Sequence, residues 1–473
     1  MSNEVSVSSE KVQIWPIMIS FLISGFIGMF SETALNIALS DLMEIFHITP
    51  STVQWLTTIY LLTFGILVPV SGFFMKRFTT RQLFVTSLLF SVAGFAAAAT
   101  APSFEVLLAA RVGQAIGSAL LLPLMFNTVL LIFPQEKRGT AMGIVGFVIM
   151  SAPAVGPTLA GFITESMSWH WIFWISEPFL ILSLLCGLRY MRNVSVITKP
   201  KIDVLSVVLS TIGFGGIVFG FSQAGEVLDW TSAPVMIPLI AGSAALCIFS
   251  LRQMALKQPV LNLRVFRYPL FTLGILLVIL CMMVILASVI LLPIYLQEGL
   301  GISMILAGLI MMPGGIINGI MSQVTGRLFD WIGPRGPVIS GALLMTAVVF
   351  LLSRMTADTS PVFVIAMHSF LMMGTAMVMT AAQTNALNQL PHILYPDGTA
   401  IMTTLQQVAG AVGTALGMCF LSVGQQAYLA VHEAGADIQA ASVAAGTQQA
   451  FSFLTLVSAA ALVLSLFIKS SKR

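Results

Sequence analysis

Ile14-Trp-Pro-Ile-Met-Ile-Ser-Phe-Leu-Ile-Ser-Gly-Phe-Ile-Gly-Met-Phe-Ser-Glu32-Thr-Ala-Leu-Asn36-Ile-Ala-Leu39 is an apolar run with a single carboxylate inside it. A helix needs about 20 such residues to cross a bilayer, so this run is long enough to span. An ionisable group there costs roughly 2.5–3.5 kcal/mol on insertion scales. A chain carries that cost when the group faces protein or a water-filled interior, where a carboxylate can bind a proton or a cation. The polar segment before the run ends near Lys11, and the run is too long for a cleaved signal, so it reads as a retained span.

The rest of the chain repeats the pattern. Of 473 residues, 58% are hydrophobic and only 8% are charged, against about 25% charged in a soluble domain. Fourteen candidate spans follow, at 14–39, 52–74, 83–100, 105–131, 141–163, 170–188, 204–224, 234–251, 270–294, 303–325, 337–353, 361–383, 400–422 and 450–468. No span alternates with period two, which excludes a β-barrel. The expected fold class is an all-α polytopic membrane protein. Lys and Arg test the count: with a cytoplasmic N-terminus, all 21 fall in inside loops except Arg111, within span 4, and Arg354, outside. Both termini are therefore expected in the cytoplasm. The four cysteines lie in apolar runs and do not suggest a disulfide framework.

Two loops are long: the basic segment 189–203, and 425–448, an Ala/Gln/Gly-rich stretch expected to be external and loosely packed. One weak repeat organises the chain. Gly72-Phe-Phe-Met-Lys-Arg77-Phe-Thr-Thr-Arg81 follows span 2, and Gly326-Arg-Leu-Phe-Asp330-Trp-Ile-Gly333-Pro-Arg335 follows span 10. In each, a Gly is read as leaving the helix and an Arg follows nine positions later. Spans 9–14 then repeat spans 1–6, with spans 7 and 8 inserted. The expected units are a six-helix bundle over 1–188, a linker with two helices over 189–268, and a second six-helix bundle over 269–473. Parallel halves that rock about a site at their interface make a transporter layout.

Several spans carry distinctive strings. They are Glu32-Thr-Ala-Leu-Asn36 in span 1, Gln54-Trp55-Leu-Thr-Thr-Ile-Tyr60 in span 2 and Arg111-Val-Gly-Gln114-Ala-Ile-Gly117 in span 4. Span 5 has Ala154-Val-Gly156-Pro157-Thr-Leu-Ala-Gly161, span 6 opens Trp169-His-Trp171, and span 9 ends Leu292-Pro293-Ile-Tyr295-Leu-Gln297. Together they resemble the 14-span drug:proton antiporters of the major facilitator superfamily, the branch with bacterial lincomycin-resistance and quaternary-ammonium exporters. The resemblance implies a major facilitator fold arranged 6+2+6. It also implies a bacterial plasma-membrane location and export of hydrophobic or amphipathic drugs by alternating access. Energy would come from the proton gradient, with no cofactor; the expected partners are small-molecule drugs, protons and lipid, and the chain is expected to be a monomer. The Gly-Pro element of span 5 points to antiport. Lys76 and Thr79 stand where the family usually has Asp and Gly, so the second copy, with Asp330 and Gly333, is expected to carry most of a gating latch. Span 10 offers only Asn318 and Gln323 where relatives that export dications have Asp, which points away from dications.

The residues allow a finer reading. Glu32 and Arg111 both lie roughly 10 Å below the same face, at 1.5 Å rise per residue, so they can meet. Such a pair is either a proton-coupling site or a static pin between spans 1 and 4. Glu177 in span 6 lies at a similar depth and reads as a second proton site, a drug contact or an acid near the headgroups. His368, the lone deeply embedded histidine, reads as hydrogen-bonded structure. Asn36, Tyr60, Gln114, Asn318 and Asn385 are the candidate cavity residues, because polar side chains avoid lipid. Methionine pairs such as Met282-Met283, Met311-Met312 and Met372-Met373 suit an adaptable cavity or lipid contact equally. Gly156 and Pro157 are expected to seal span 5 against the second half, and Gly326, Asp330 and Arg335 to gate the inside face. Phosphate-loop and metal-cluster patterns are absent from the sequence, so ATP-driven transport, catalysis and nucleic-acid binding are not expected. Two other readings remain: export of an endogenous metabolite or signalling molecule, and a non-transporting sensor or scaffold.

Overall fold

The computed structural model describes residues 13–469, apart from 196, 199, 228–229 and 433–437. Lys11, Lys199, Lys472 and Arg473 of the charge pattern lie outside the described residues. Fourteen long helices follow one another: α1 (Ile14–Ala34), α2 (Trp55–Arg77), α3 (Thr80–Ala99), α4 (Phe104–Ile132), α5 (Arg138–Ser166), α6 (Trp171–Tyr190) and α7 (Val204–Val227). Then come α8 (Ala233–Ala255), α9 (Pro269–Ile294), α10 (Met304–Ile332), α11 (Arg335–Leu352), α12 (Pro361–Asn388), α13 (Tyr395–Leu429) and α14 (Ile438–Ser465). Among the described residues, thirteen helices are long and apolar enough to cross a membrane, and α5 makes the fourteenth as a pair bent by 42° between Pro153 and Thr158. Helices are favoured because a segment in hydrocarbon must satisfy its own backbone hydrogen bonds.

Two large cores divide the bundle. One gathers Ile17 to Met191, joined by residues such as Phe271 and Tyr395; the other gathers Leu277 to Ile468. Between them, α7 packs on α8 and also lies against α2 and α13, with Ala224, Val235 and Ala415 in a small core of their own. Asp203, just before α7, accepts two bonds from Arg252 on α8, at 2.8 and 3.0 Å, and one from Ser206 at 2.6 Å. Those bonds, Arg252 foremost, hold its carboxyl down at about 2.

The ends of the bundle differ in charge and in packing. Lys76, Arg138, Asp330, Asp397 and Lys469 all sit at one end, here called the basic end. There α5 and α10 approach closely: a Cβ on Gly143 would lie 2.7 Å from the Ser322 carbonyl oxygen, and one on Gly146 would lie 3.2 Å from the Ser322 Cβ. Toward the other end the same helices part, and a Cβ on Gly161 or Gly308 would have nothing within 4 Å.

Two expectations need correction. Gly72 and Gly326 do not leave their helices, since α2 runs on to Arg77 and α10 to Ile332. Both are contact points instead: a Cβ on Gly72 would lie 3.0 Å from the Pro396 carbonyl oxygen, and Gly326 abuts Gly139. Small residues let helix backbones meet, which is why glycine survives inside these helices. The stretch 425–448 is largely helical and packed: α14 begins at Ile438, and a Cβ on Gly424 would lie 2.8 Å from the Gly446 Cα. Positions 433–437 of that stretch lie outside the described residues. Span 1, expected over 14–39, is long and apolar enough to cross a membrane over Ile14–Ala38. It tightens into a 3₁₀ turn over Leu35–Ala38, two residues beyond Thr33, a local geometry that often marks a hinge.

The contrast along α5 is testable. Gly143→Ala forces a methyl against the Ser322 carbonyl, and overpacking of this kind costs about 1–3 kcal/mol. Gly161→Ala enters open space and gains about 0.5–1 kcal/mol of helix propensity. The thermal midpoint of the purified protein is expected to fall for Gly143→Ala and to hold or rise for Gly161→Ala.

Candidate functional site: a cavity between the two cores

A cavity of about 390 Å³ lies between the two cores. One wall comes from α1, α4 and α5, with Met29, Glu32, Thr33, Phe126, Met142 and Ile149 among its residues. The facing wall comes from α9, α10, α12 and α13, with Met282, Met311, Asn318, His368, Met372 and Gln383 among its residues. Most of the surface is apolar, as suits a pocket that binds through contact area and orients through a few polar groups. From each of the pairs Met282-Met283, Met311-Met312 and Met372-Met373, only the first methionine lines the cavity. Consecutive helical residues point about 100° apart, so one faces in and the other away.

Among the described residues, Glu32 is the one Asp, Glu, Lys or Arg on these walls. One of its carboxylate oxygens is buried without a hydrogen-bond partner. Arg111 stands behind it, wholly buried. Its Nη1 donates to the Ser31 carbonyl at 3.1 Å, to Ser31 Oγ at 3.1 Å and to Gln114 Oε1 at 3.0 Å, and its Nε donates to the Leu56 carbonyl at 3.2 Å. Its guanidinium carbon lies 4.4 Å from the Tyr60 ring centroid, within cation–π range. Tyr60 donates to Ser118 Oγ at 3.0 Å, and Gln114 Nε2 to the Gly94 carbonyl at 3.2 Å. This network ties α1, α2, α3 and α4 together. Arg111 thus holds the residue next to Glu32 rather than forming a direct ion pair with it.

The structure brings some sequence candidates to the cavity and not others. Glu32 and Asn318 line it. Tyr60 and Gln114 are buried in the Arg111 network, and Asn36 is exposed beyond the break in α1, accepting from Thr57 at 2.9 Å. Asn385 is buried and donates to the Lys469 carbonyl at 3.3 Å. Glu177 is 6% exposed, with one carboxylate oxygen lacking a partner. It sits on α6, which packs against α1 and α3, and it is absent from the cavity walls. Gly156 faces α1 rather than the second core: a Cβ there would lie 2.5 Å from Thr33 Oγ1. Pro157 belongs to α5, and its side chain lies outside the described residues. Arg335 is exposed at the start of α11.

His368 departs from its expected role. It is 3% exposed, its Nδ1 has no partner, and it lines the cavity with its ring against Gly314. Sequence reasoning also passed over Gln297, Gln383, Gln406 and Gln407 on the same wall. Their signal was available, because each is an amide set in or at the end of an apolar helix.

The basic end is tied shut at several points. Asp330, in the last turn of α10, accepts the Gly139 N–H at 2.8 Å, the Thr140 N–H at 2.7 Å and the Thr140 hydroxyl at 2.6 Å. A carboxylate at a helix N-terminus meets both free N–H groups and the positive end of the helix dipole. Lys76 Nζ lies 2.8 Å from Asp397 Oδ1, and that oxygen also accepts the Asn262 N–H at 2.9 Å. Arg138 bonds to Asn388 at 3.0 Å and to the Tyr395 hydroxyl at 2.9 Å. The tie at Asp330 thus has a counterpart at Lys76. Lys76 on α2 is met by an acid at the start of α13, and Asp330 on α10 meets the start of α5, so the basic end is joined at both places.

The sequence matches the family model described as Major Facilitator Superfamily over residues 21–414. It is 55% identical over 471 residues to the lincomycin resistance protein LmrB of Listeria monocytogenes serovar 1/2a, covering 99% of this chain and 100% of that one. LmrB of Bacillus subtilis is 56% identical over 468 residues, with 98% of each chain covered. Among solved structures, the proton:xylose symporter XylE aligns with a TM-score of 0.66 at 16% identity, over 97% of this chain and 96% of that one, which is a likeness of fold.

With both corners tied, Lys76→Met and Asp330→Asn are each expected to loosen the basic end to a similar degree. The measurement is the labelling rate of a cysteine placed at Ser322, in a protein otherwise free of cysteine, by a small water-soluble maleimide. A rate raised severalfold by Asp330→Asn and unchanged by Lys76→Met would show that the Lys76–Asp397 contact adds nothing.

Proposed function

The chain belongs to the major facilitator superfamily, and from that premise we propose that it exports hydrophobic or amphipathic drugs in exchange for protons, by alternating access. The matched relatives are transporters, so the protein is a multi-pass membrane transporter and not an enzyme. The names of the LmrB relatives support lincomycin-like drugs as the first substrates to test. The positive-inside pattern supports a bacterial plasma-membrane protein with both termini and the basic end in the cytoplasm. In this reading residues 1–188 and 269–473 move as two bodies, with 189–268 as the linker that carries α7 and α8. The protein acts as a monomer and draws its energy from the proton gradient, with no cofactor.

The observation that carries the proposal is Glu32. A carboxylate on an apolar cavity wall, one oxygen unsatisfied, is costly in either charge state unless it exchanges its proton or meets a cation. Arg111 sits one residue away through Ser31 and keeps positive charge behind it without neutralising it. The tied basic end and the parted outer halves of α5 and α10 favour an outward-facing form, in which Glu32 loads a proton as drug leaves. The 3₁₀ turn beside Thr33, and the close approach of Gly156 to that residue, couple the site to movement of α1 against α5.

Glu32→Gln keeps the shape of the side chain and removes the titrating group. In proteoliposomes, drug-driven proton movement is expected to fall at least about tenfold, a change of about 1.4 kcal/mol in the coupled step, while the protein still inserts and folds. Wild-type proton movement in Glu32→Gln would overturn the assignment.

A further inference from the structure

The two cavity walls differ in chemistry. The wall from α1, α4 and α5 carries the one carboxylate and is otherwise mostly apolar. The facing wall carries no formal charge apart from any taken up by His368, yet presents Gln297, Asn318, His368, Gln383, Gln406 and Gln407. Three of these are deeply buried and hold unsatisfied polar atoms: Asn318 Oδ1, His368 Nδ1 and Gln383 Nε2, on residues 3%, 3% and 7% exposed. Asn318 is held in place because its amide nitrogen donates to the Met372 carbonyl at 3.0 Å and to Thr375 Oγ1 at 3.1 Å. His368 is held by its close packing on Gly314. Each buried donor or acceptor left without a partner costs about 1–3 kcal/mol, so a cluster of them against one cavity is best explained by a partner that arrives with the ligand.

We propose that this wall is a subsite for the uncharged, hydroxyl- or amide-bearing part of the substrate, with His368 and Gln383 as its specificity-determining groups. The inference rests on the export reading and adds to it a division of labour. Glu32 serves the proton or the cationic end, and the facing wall sorts substrates by their neutral polar groups. Amides and a neutral imidazole offer both donors and acceptors, which hydroxyls and amides match and a bare hydrocarbon cation does not. A site built to hydrogen-bond discriminates strongly against ligands that leave its groups unpaired.

The test is equilibrium binding to the purified full-length protein in lipid nanodiscs, with two probes. Lincomycin carries hydroxyls and an amide beside its amine; tetraphenylphosphonium is a cation with no hydrogen-bonding group. His368→Leu and Gln383→Leu are each expected to weaken lincomycin about tenfold, which is one hydrogen bond's worth, and to leave tetraphenylphosphonium within about twofold. His368→Gln, which keeps a donor and an acceptor, is expected to recover most of the lincomycin affinity. Equal weakening of both probes would assign His368 and Gln383 to packing and overturn the subsite, as would unchanged lincomycin binding. If neither probe binds the wild-type protein, the drug-export reading itself fails, and the subsite with it.

Discussion

A guanidinium with no exposure, set among apolar helices, constrains the whole first core. Removing one partner from a buried charge costs about 3–5 kcal/mol, so Arg111 must be answered wherever the helices sit. Ser31, Leu56, Gln114 and the Tyr60 ring answer it from α1, α2 and α4, and Gln114 carries the connection on to α3. Shifting any of these helices by a helical turn would break several charge-assisted bonds at once. The network therefore fixes the register of four helices, and with it the position of Glu32 beside Ser31.

Rigidity within the core contrasts with the contacts between cores. These are glycine approaches and a few polar ties at the basic end, such as Gly143 on Ser322, Asp330 on the start of α5 and Lys76 on Asp397. Several members of these ties are themselves buried, with Arg138 6% and Asp397 1% exposed, so breaking a tie leaves a desolvated charge that needs a new partner. One dense network holds the first core, and a few separate contacts join the two cores.

The fold was legible because hydrocarbon thickness sets span length and because Lys and Arg sort by side. All fourteen sequence spans fall on separate helices. Helix ends were less legible. Ile438–Gln449 is rich in Ala, Gly and Gln, which lowers hydropathy without preventing a packed helix, and α10 runs past Gly326 because that glycine serves contact, not termination. Within the site, Glu32 was legible from its cost alone. Tyr60, Gln114, Asn318 and Asn385 were equally visible as embedded polar residues, but cost does not say which face of a helix a residue occupies. Only Asn318 of the four faces the cavity, with its Oδ1 left unpaired there, while Tyr60 and Gln114 turn to the Arg111 network and Asn385 to the Lys469 carbonyl. The pairing of Lys76 with Asp397 spans 321 positions, and nothing local in either segment signals it.

One constraint connects the cavity to the rest. An apolar cavity of this kind gains little by excluding water around an unpaired carboxylate, and the wall opposite leaves amides and an imidazole unsatisfied. Both are unfavourable. Arg111 makes its hydrogen bonds through Nε and Nη1 and keeps Nη2 unpaired, and Asn127, Glu177 and Ser288 hold unpaired buried atoms away from the cavity; what sets Glu32, Asn318, His368 and Gln383 apart is that all four line one cavity. They cluster where the two bodies face each other across a shared cavity, and local frustration of this kind is expected at sites that must release what they bind.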